Sequence, residues 1–139
     1  MKRLLLALCL IPNLAWAQQP IVFPGPTAPY QIPLTQGVSG TGVSLTAILS
    51  GNTTTFDYIC GFVATSAGTS TVTVANLTVT GVKSPLLFTY DYPNPGQGII
   101  GVAFPGCLTA ASKGTGITVT LGAGDATSQA SLSAWGYAN

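Results

Sequence analysis

Two cysteines, Cys60 and Cys107, bracket a block of strand-like sequence, and this pair restricts the fold more than any other feature. The block opens with Phe56-Asp57-Tyr58-Ile59-Cys60-Gly61-Phe62 and closes with Phe104-Pro105-Gly106-Cys107. Between them lie a Thr/Val run, an aromatic run and a Pro/Gly turn, which read as several strands. The third cysteine, Cys9, falls in a segment with the features of a secretory leader. Without it the count is even, and in an oxidising compartment an even count reads as a disulfide. Closing that loop stabilises a fold by about 4 kcal/mol on the chain-entropy model, a large share of a net stability of roughly 5–15 kcal/mol. Zinc would need more Cys, His or carboxylate ligands than this chain can gather.

The leader reading rests on three parts: basic Met1-Lys2-Arg3, a short apolar run from Leu4 to Leu14, and Ala15-Trp16-Ala17 as the cleavage site. The apolar run is shorter than the ~20 residues that span a bilayer, and bulky Leu8 before Cys9 argues against a lipid anchor. Residues 1–17 are therefore expected to be a signal peptide, and the protein to be secreted to the periplasm, cell surface or medium. Pro20, Pro24, Pro26, Pro29 and Pro33 then hold half of the chain's ten prolines. Each removes a backbone donor, so residues 18–34 read as an extended arm, neither helix nor central strand. Residues 35–139 form the domain proper. No later stretch is apolar for long enough to cross a membrane.

From Val38 the hydrophobic period becomes two, the signature of half-buried strands. Val43, Leu45, Ala47 and Leu49 alternate with Ser44, Thr46 and Ile48, and Ser50-Gly51-Asn52 turns the chain. Phe56, Tyr58, Cys60 and Phe62 share one parity, Asp57, Ile59 and Val63 the other. Both faces are apolar, which predicts a central strand. Val72 and Val74 are out of phase with Leu77 and Val79, which predicts a bulge near Ala75-Asn76. After Pro85, Leu86, Phe88, Tyr90 and Tyr92 share a face, and Pro93-Asn94-Pro95-Gly96 is a turn. Ile99 to Phe104 reads as a buried strand. Ile117, Val119 and Leu121 alternate with threonines. In the last strand Ala130, Leu132 and Ala134 oppose Trp135 and Tyr137. About eight short strands with regular turns predict an all-β, two-sheet β-sandwich, either jelly-roll or immunoglobulin-like.

The composition removes most chemistry. Past the leader there is no His, Glu or Arg, and Lys83 and Lys113 face Asp57, Asp91 and Asp125. No basic patch exists to neutralise phosphates, so nucleic acid is not an expected partner. His-based triads are absent, and a paired-carboxylate site would need two of three scattered aspartates in one cleft. Lys83-Ser84 and Ser112-Lys113 would have to be held in a buried pocket for Ser/Lys catalysis, but both sit beside loop signals and read as solvated. Asp91 with Asn94, or Asp125, offers too few oxygens for calcium and fits turn capping better. No enzyme activity, no metal site and no cofactor are expected.

What remains is a set of amphipathic rings. Tyr58, Tyr90, Tyr92, Trp135 and Tyr137 combine flat apolar faces with polar tips, which suits sugar stacking or a subunit interface, as well as plain core packing. With only 5% of residues charged, little electrostatic repulsion keeps copies apart.

Cys60-Gly61-Phe62, the second cysteine before a Thr/Ala-rich stretch, and Ala134-Trp135-Gly136-Tyr137 together resemble a group of short secreted bacterial proteins, some encoded near phage-derived genes. The likeness covers roughly residues 55–139 and implies no catalytic residue. Chaperone–usher pilins share a secreted sandwich, a disulfide and a late aromatic. They depart in that Tyr137 is third from the end and Cys60 falls late in the mature chain. The expectation is a secreted, non-catalytic structural or adhesive surface module, a candidate homo-oligomer. The alternatives are a carbohydrate-binding module using the Tyr/Trp set on a surface glycan or other cell-envelope partner, and a pilin-like subunit.

Overall fold

The computed structural model describes residues 31–67, 72–92 and 97–139. The leader, the arm up to residue 30, and the turns expected at Gly68 and at Pro93–Gly96 lie outside the described residues. The elements are β1 (Ile32–Thr41), β2 (Leu45–Leu49), β3 (Asp57–Ala67), β4 (Thr73–Thr80), β5 (Leu86–Tyr92), β6 (Gln97–Thr109), β7 (Ile117–Leu121) and β8 (Gln129–Ala138). They form two four-stranded antiparallel sheets, ordered β1-β8-β3-β6 and β2-β7-β4-β5. β1 pairs with β8, β2 with β7, β3 with β6 and β4 with β5, as in one long hairpin rolled into two layers. The β3–β8 and β4–β7 pairings close the roll. This is the jelly-roll topology, which decides between the two sandwiches left open by the sequence.

Period-two alternation builds the core between the sheets. Leu45, Ala47 and Leu49 of β2, Ile117, Val119 and Leu121 of β7, and Leu77 and Val79 of β4 face Phe62, Ala64, Leu132 and Ala134 of the first sheet. The Phe62 ring meets Phe88 edge-on, with centroids 5.5 Å apart, and Phe104 at 6.2 Å. As the alternation predicts, Leu86, Phe88, Tyr90 and Tyr92 all turn inward.

Three expectations are corrected. The phase switch assigned to Ala75-Asn76 is no bulge: β4 keeps continuous register with β5, and Val72 and Val74 simply face outward beyond the core. The irregularity lies in β3 instead, between Ile59 and Gly61. Cys60 is the extra residue there, so Ile59 and Phe62, of opposite parity, both reach the core. Ile99 to Phe104 is not buried throughout. β6 lies at a sheet edge, where its residues alternate, and Ile99 is 75% exposed. Finally, β1 begins at Ile32, so the last residues of the expected arm are strand: Pro33 pairs with Tyr137 and Leu34 with Gly136. A proline is tolerated here because β1 is an edge strand.

At the β3 bulge the backbones pack closely. A Cβ on Gly136 would collide with the Tyr58 carbonyl, and one on Gly61 would collide with the Trp135 indole and the Val102 carbonyl. On the other side of β3, β6 runs from Ala103, paired with Gly61, to Leu108, paired with Ile59. Phe104-Pro105-Gly106-Cys107 lie between these two pairs, opposite Cys60 alone on β3. The Cys60–Cys107 disulfide, Sγ to Sγ 2.07 Å, ties that stretch to the bulge. Cys107 has φ 44°, the left-handed region that non-glycine residues seldom occupy.

Candidate functional site: the outer face of the first sheet

The strand register fixes which side chains share the outer face of the β1-β8-β3-β6 sheet. Residues directly opposite in an antiparallel pair point the same way. Tyr137 of β8 therefore stands beside Pro33 of β1 and Tyr58 of β3, and Trp135 beside Thr35 and Gly61. Further along come Ser133 with Gly37 and Val63, then Ser131 with Ser39 and Thr65. The face thus has an aromatic end and a hydroxyl end.

At the aromatic end the Tyr58 and Tyr137 rings stack, with centroids 4.7 Å apart and planes 15° from parallel. Trp135, two residues before Tyr137, lies across Gly61, which leaves room for the indole because it has no Cβ. All three rings are half-buried, as rings laid on a sheet surface should be.

Tyr90 and Tyr92 do not join them. Both point into the core, where their rings meet edge-on at 5.0 Å. The Tyr90 hydroxyl donates to Ser66 Oγ at 2.9 Å, and the Tyr92 hydroxyl donates to the Gly122 carbonyl at 2.8 Å. Burial pushes the Tyr92 phenol up to about 12, with a further contribution from Tyr90. Burial also raises Tyr90, partly offset by its hydrogen bond to Ser66. Of the five rings singled out in the sequence, three form a surface cluster and two are core.

The ionisable groups are scattered. Asp57 is 1% exposed and accepts the Gly51 N–H on both carboxylate oxygens, at 3.0 and 3.1 Å, which fixes the turn before β3. Asp125 caps its own turn, accepting from the Thr127 N–H and from the Thr127 and Ser128 hydroxyls at 2.8–2.9 Å. This is the capping role its sequence context predicts. Lys113 sits 5.7 Å from the centre of the Phe56 ring. Among the described residues no three of His, Cys, Asp or Glu gather as a metal site. None of these groups lies on the outer face of the first sheet.

A second feature is not visible in the sequence. β6 is the longest strand and its outer edge has no partner among the described residues. Natural edges are guarded by charge, proline, brevity or bulges. The stretch Gln97-Gly98-Ile99-Ile100-Gly101-Val102-Ala103 has none of these, and its bulge and Pro105 come only afterwards. The other edges are guarded: β1 by Pro33, β2 by its five residues, β5 by Asp91. Only the strand order reveals that β6 is an edge.

No helix among the described residues is long and apolar enough to cross a membrane. No known family model matches the chain, and no curated protein matches it either.

Proposed function

We propose that the protein is a secreted, non-catalytic structural module of the cell envelope or exterior, and that copies of it associate through the free edge of β6. The unguarded, uncharged run from Gln97 to Ala103 carries this reading. Two such edges related by a two-fold axis pair antiparallel, each satisfying the other's N–H and C=O groups. The two four-stranded sheets then become one continuous sheet, and the bulge at Cys107 limits the pairing at one end. Charge offers little resistance, since of the ionisable side chains in residues 31–139 only Lys83, Asp91 and Lys113 are exposed. The disulfide supports export to an oxidising compartment. The pilin-like alternative has less support, because both sheets here already have four strands and the topology is a jelly roll.

The test is Ile99→Lys, which places a charge on the outward face of the edge without touching the core. Sedimentation velocity of the wild type should show mass rising with concentration, while the variant, with the same thermal transition, stays monomeric. Equal sedimentation of the two would rule out the β6 edge as the contact.

A further inference from the structure

At the hydroxyl end of the outer face, the strands β1, β8, β3 and β6 together border a shallow cavity of about 660 Å³. Ser39, Ser131, Thr65 and Ile99 cross it in one row, and Thr41, Gln129, Ala67 and Gln97 in the next. Six of these side chains are neutral hydrogen-bonding groups. Thr65 Oγ1 and Ser131 Oγ lie 2.7 Å apart, so one hydroxyl donates to the other. The accepting hydroxyl keeps its proton for a ligand, and the donating one keeps a lone pair. The pair can therefore give and receive a hydrogen bond at once.

The chemistry of the lining selects a ligand class. No lining residue is ionisable, so a phosphate, carboxylate or ammonium group would lose its hydration without gaining a counter-charge. An apolar ligand would cover six polar side chains without offering any of them a hydrogen bond. A neutral polyhydroxylated ligand suits both constraints, since each of its hydroxyls donates and accepts. Its C–H faces would rest on Ile99 and Ala67. Neighbouring strands are about 4.8 Å apart, a spacing of the same order as the width of a pyranose ring.

We infer that this cavity is a binding site for a neutral saccharide chain laid along β8. From Ser131 the same face continues through Ser133 to Trp135, about 13 Å along an extended strand. A chain of several rings in the cavity therefore reaches the indole held over Gly61. Short chains use the hydroxyl end alone, and longer ones add stacking on the aromatic end. Ser131 lies on β8, two strands in from the β6 edge, so this site does not depend on self-association.

The experiment titrates the mature disulfide-bonded protein with neutral hexasaccharides (cello-, xylo-, manno-, malto- and chito-oligosaccharides), their trisaccharides, and hexa-galacturonate as the acidic control. Calorimetry should detect at least one neutral hexasaccharide. The double variant Thr65→Val/Ser131→Ala should weaken it by about tenfold or more, the scale of losing one or two hydrogen bonds. Gln129→Ala, at the exposed start of β8, gives the same reading with little risk to the fold. Trp135→Ala should weaken the hexasaccharide and leave the trisaccharide unchanged. The inference is overturned if the folded wild type binds no neutral hexasaccharide. It is also overturned if only the acidic one binds, or if the folded variants at Thr65/Ser131 and Gln129 bind as the wild type does.

Discussion

The disulfide and the bulge it secures are set by a few residues. Cys60 is the surplus residue of β3, and Cys107 is held in a left-handed conformation to reach it. A backbone position of that kind costs of order 1–3 kcal/mol, so part of what the bond contributes offsets local strain. Replacing both cysteines by serine should lower stability by about 2–5 kcal/mol, read as a lower midpoint in urea. Gly136→Ala places a methyl group against the Tyr58 carbonyl. It should cost about 2–3 kcal/mol even though alanine is nearly as small. Tyr92 gives a pH signature. Its phenol titrates near 10 when unfolded and at about 12 when folded, so folding favours the neutral form. That stabilisation is complete below about pH 10 and is lost as pH rises through 12. Tyr92→Phe should cost about 1–2 kcal/mol at neutral pH, because the Gly122 carbonyl loses its donor. It should also flatten the fall in thermal midpoint between pH 10 and 12. An equally steep fall in the variant would place the responsible group elsewhere.

The sequence revealed most where alternation is clean. β2, β5, β7 and β8 show their inner faces directly, since their buried positions are apolar and recur at every second residue. In β3 the apolar residues of both parities correctly indicated a central strand, but they hid the bulge that lets Ile59 and Phe62 reach the core together. Apolar residues on two faces have two causes, a central position and a bulge, and β3 has both. β4 misled in the opposite sense, since exposed Val72 and Val74 imitate a phase switch. For β6, composition alone could not show whether Ile99 is covered, which depends on strand order, a long-range property. The same holds for the candidate site. Trp135 and Tyr137 were legible as a pair on one strand. Their meeting with Tyr58, the withdrawal of Tyr90 and Tyr92, and the convergence of Ser39, Thr65 and Ser131 come only from the register between β1, β8 and β3.

For the whole molecule, low charge and, among the described residues, the unguarded edge of β6 are the two features on which the proposed association rests. The proline-rich arm bears on the same question. Its apolar residues Ile21, Val22, Phe23 and Tyr30 would be a liability unless covered, and its prolines reduce the entropy it loses on docking. Because β1 starts at Ile32, a truncation must begin no later than Gln31 to leave the first sheet intact. Light scattering should then show the mature chain in larger assemblies than the chain from Gln31, with the shorter chain still dimerising through β6. Equal masses would mean that the arm packs on its own domain.

The proposed association runs through pairing of β6 with β6. It is tested most directly by hydrogen exchange of the peptide covering residues 97–103 as a function of protein concentration. Edge amides that find partners only in the dimer should exchange fast in dilute solution and slow down over the range in which the sedimenting mass doubles, while the β8 peptide keeps its protection throughout. Exchange of residues 97–103 at one rate across that range would contradict the account.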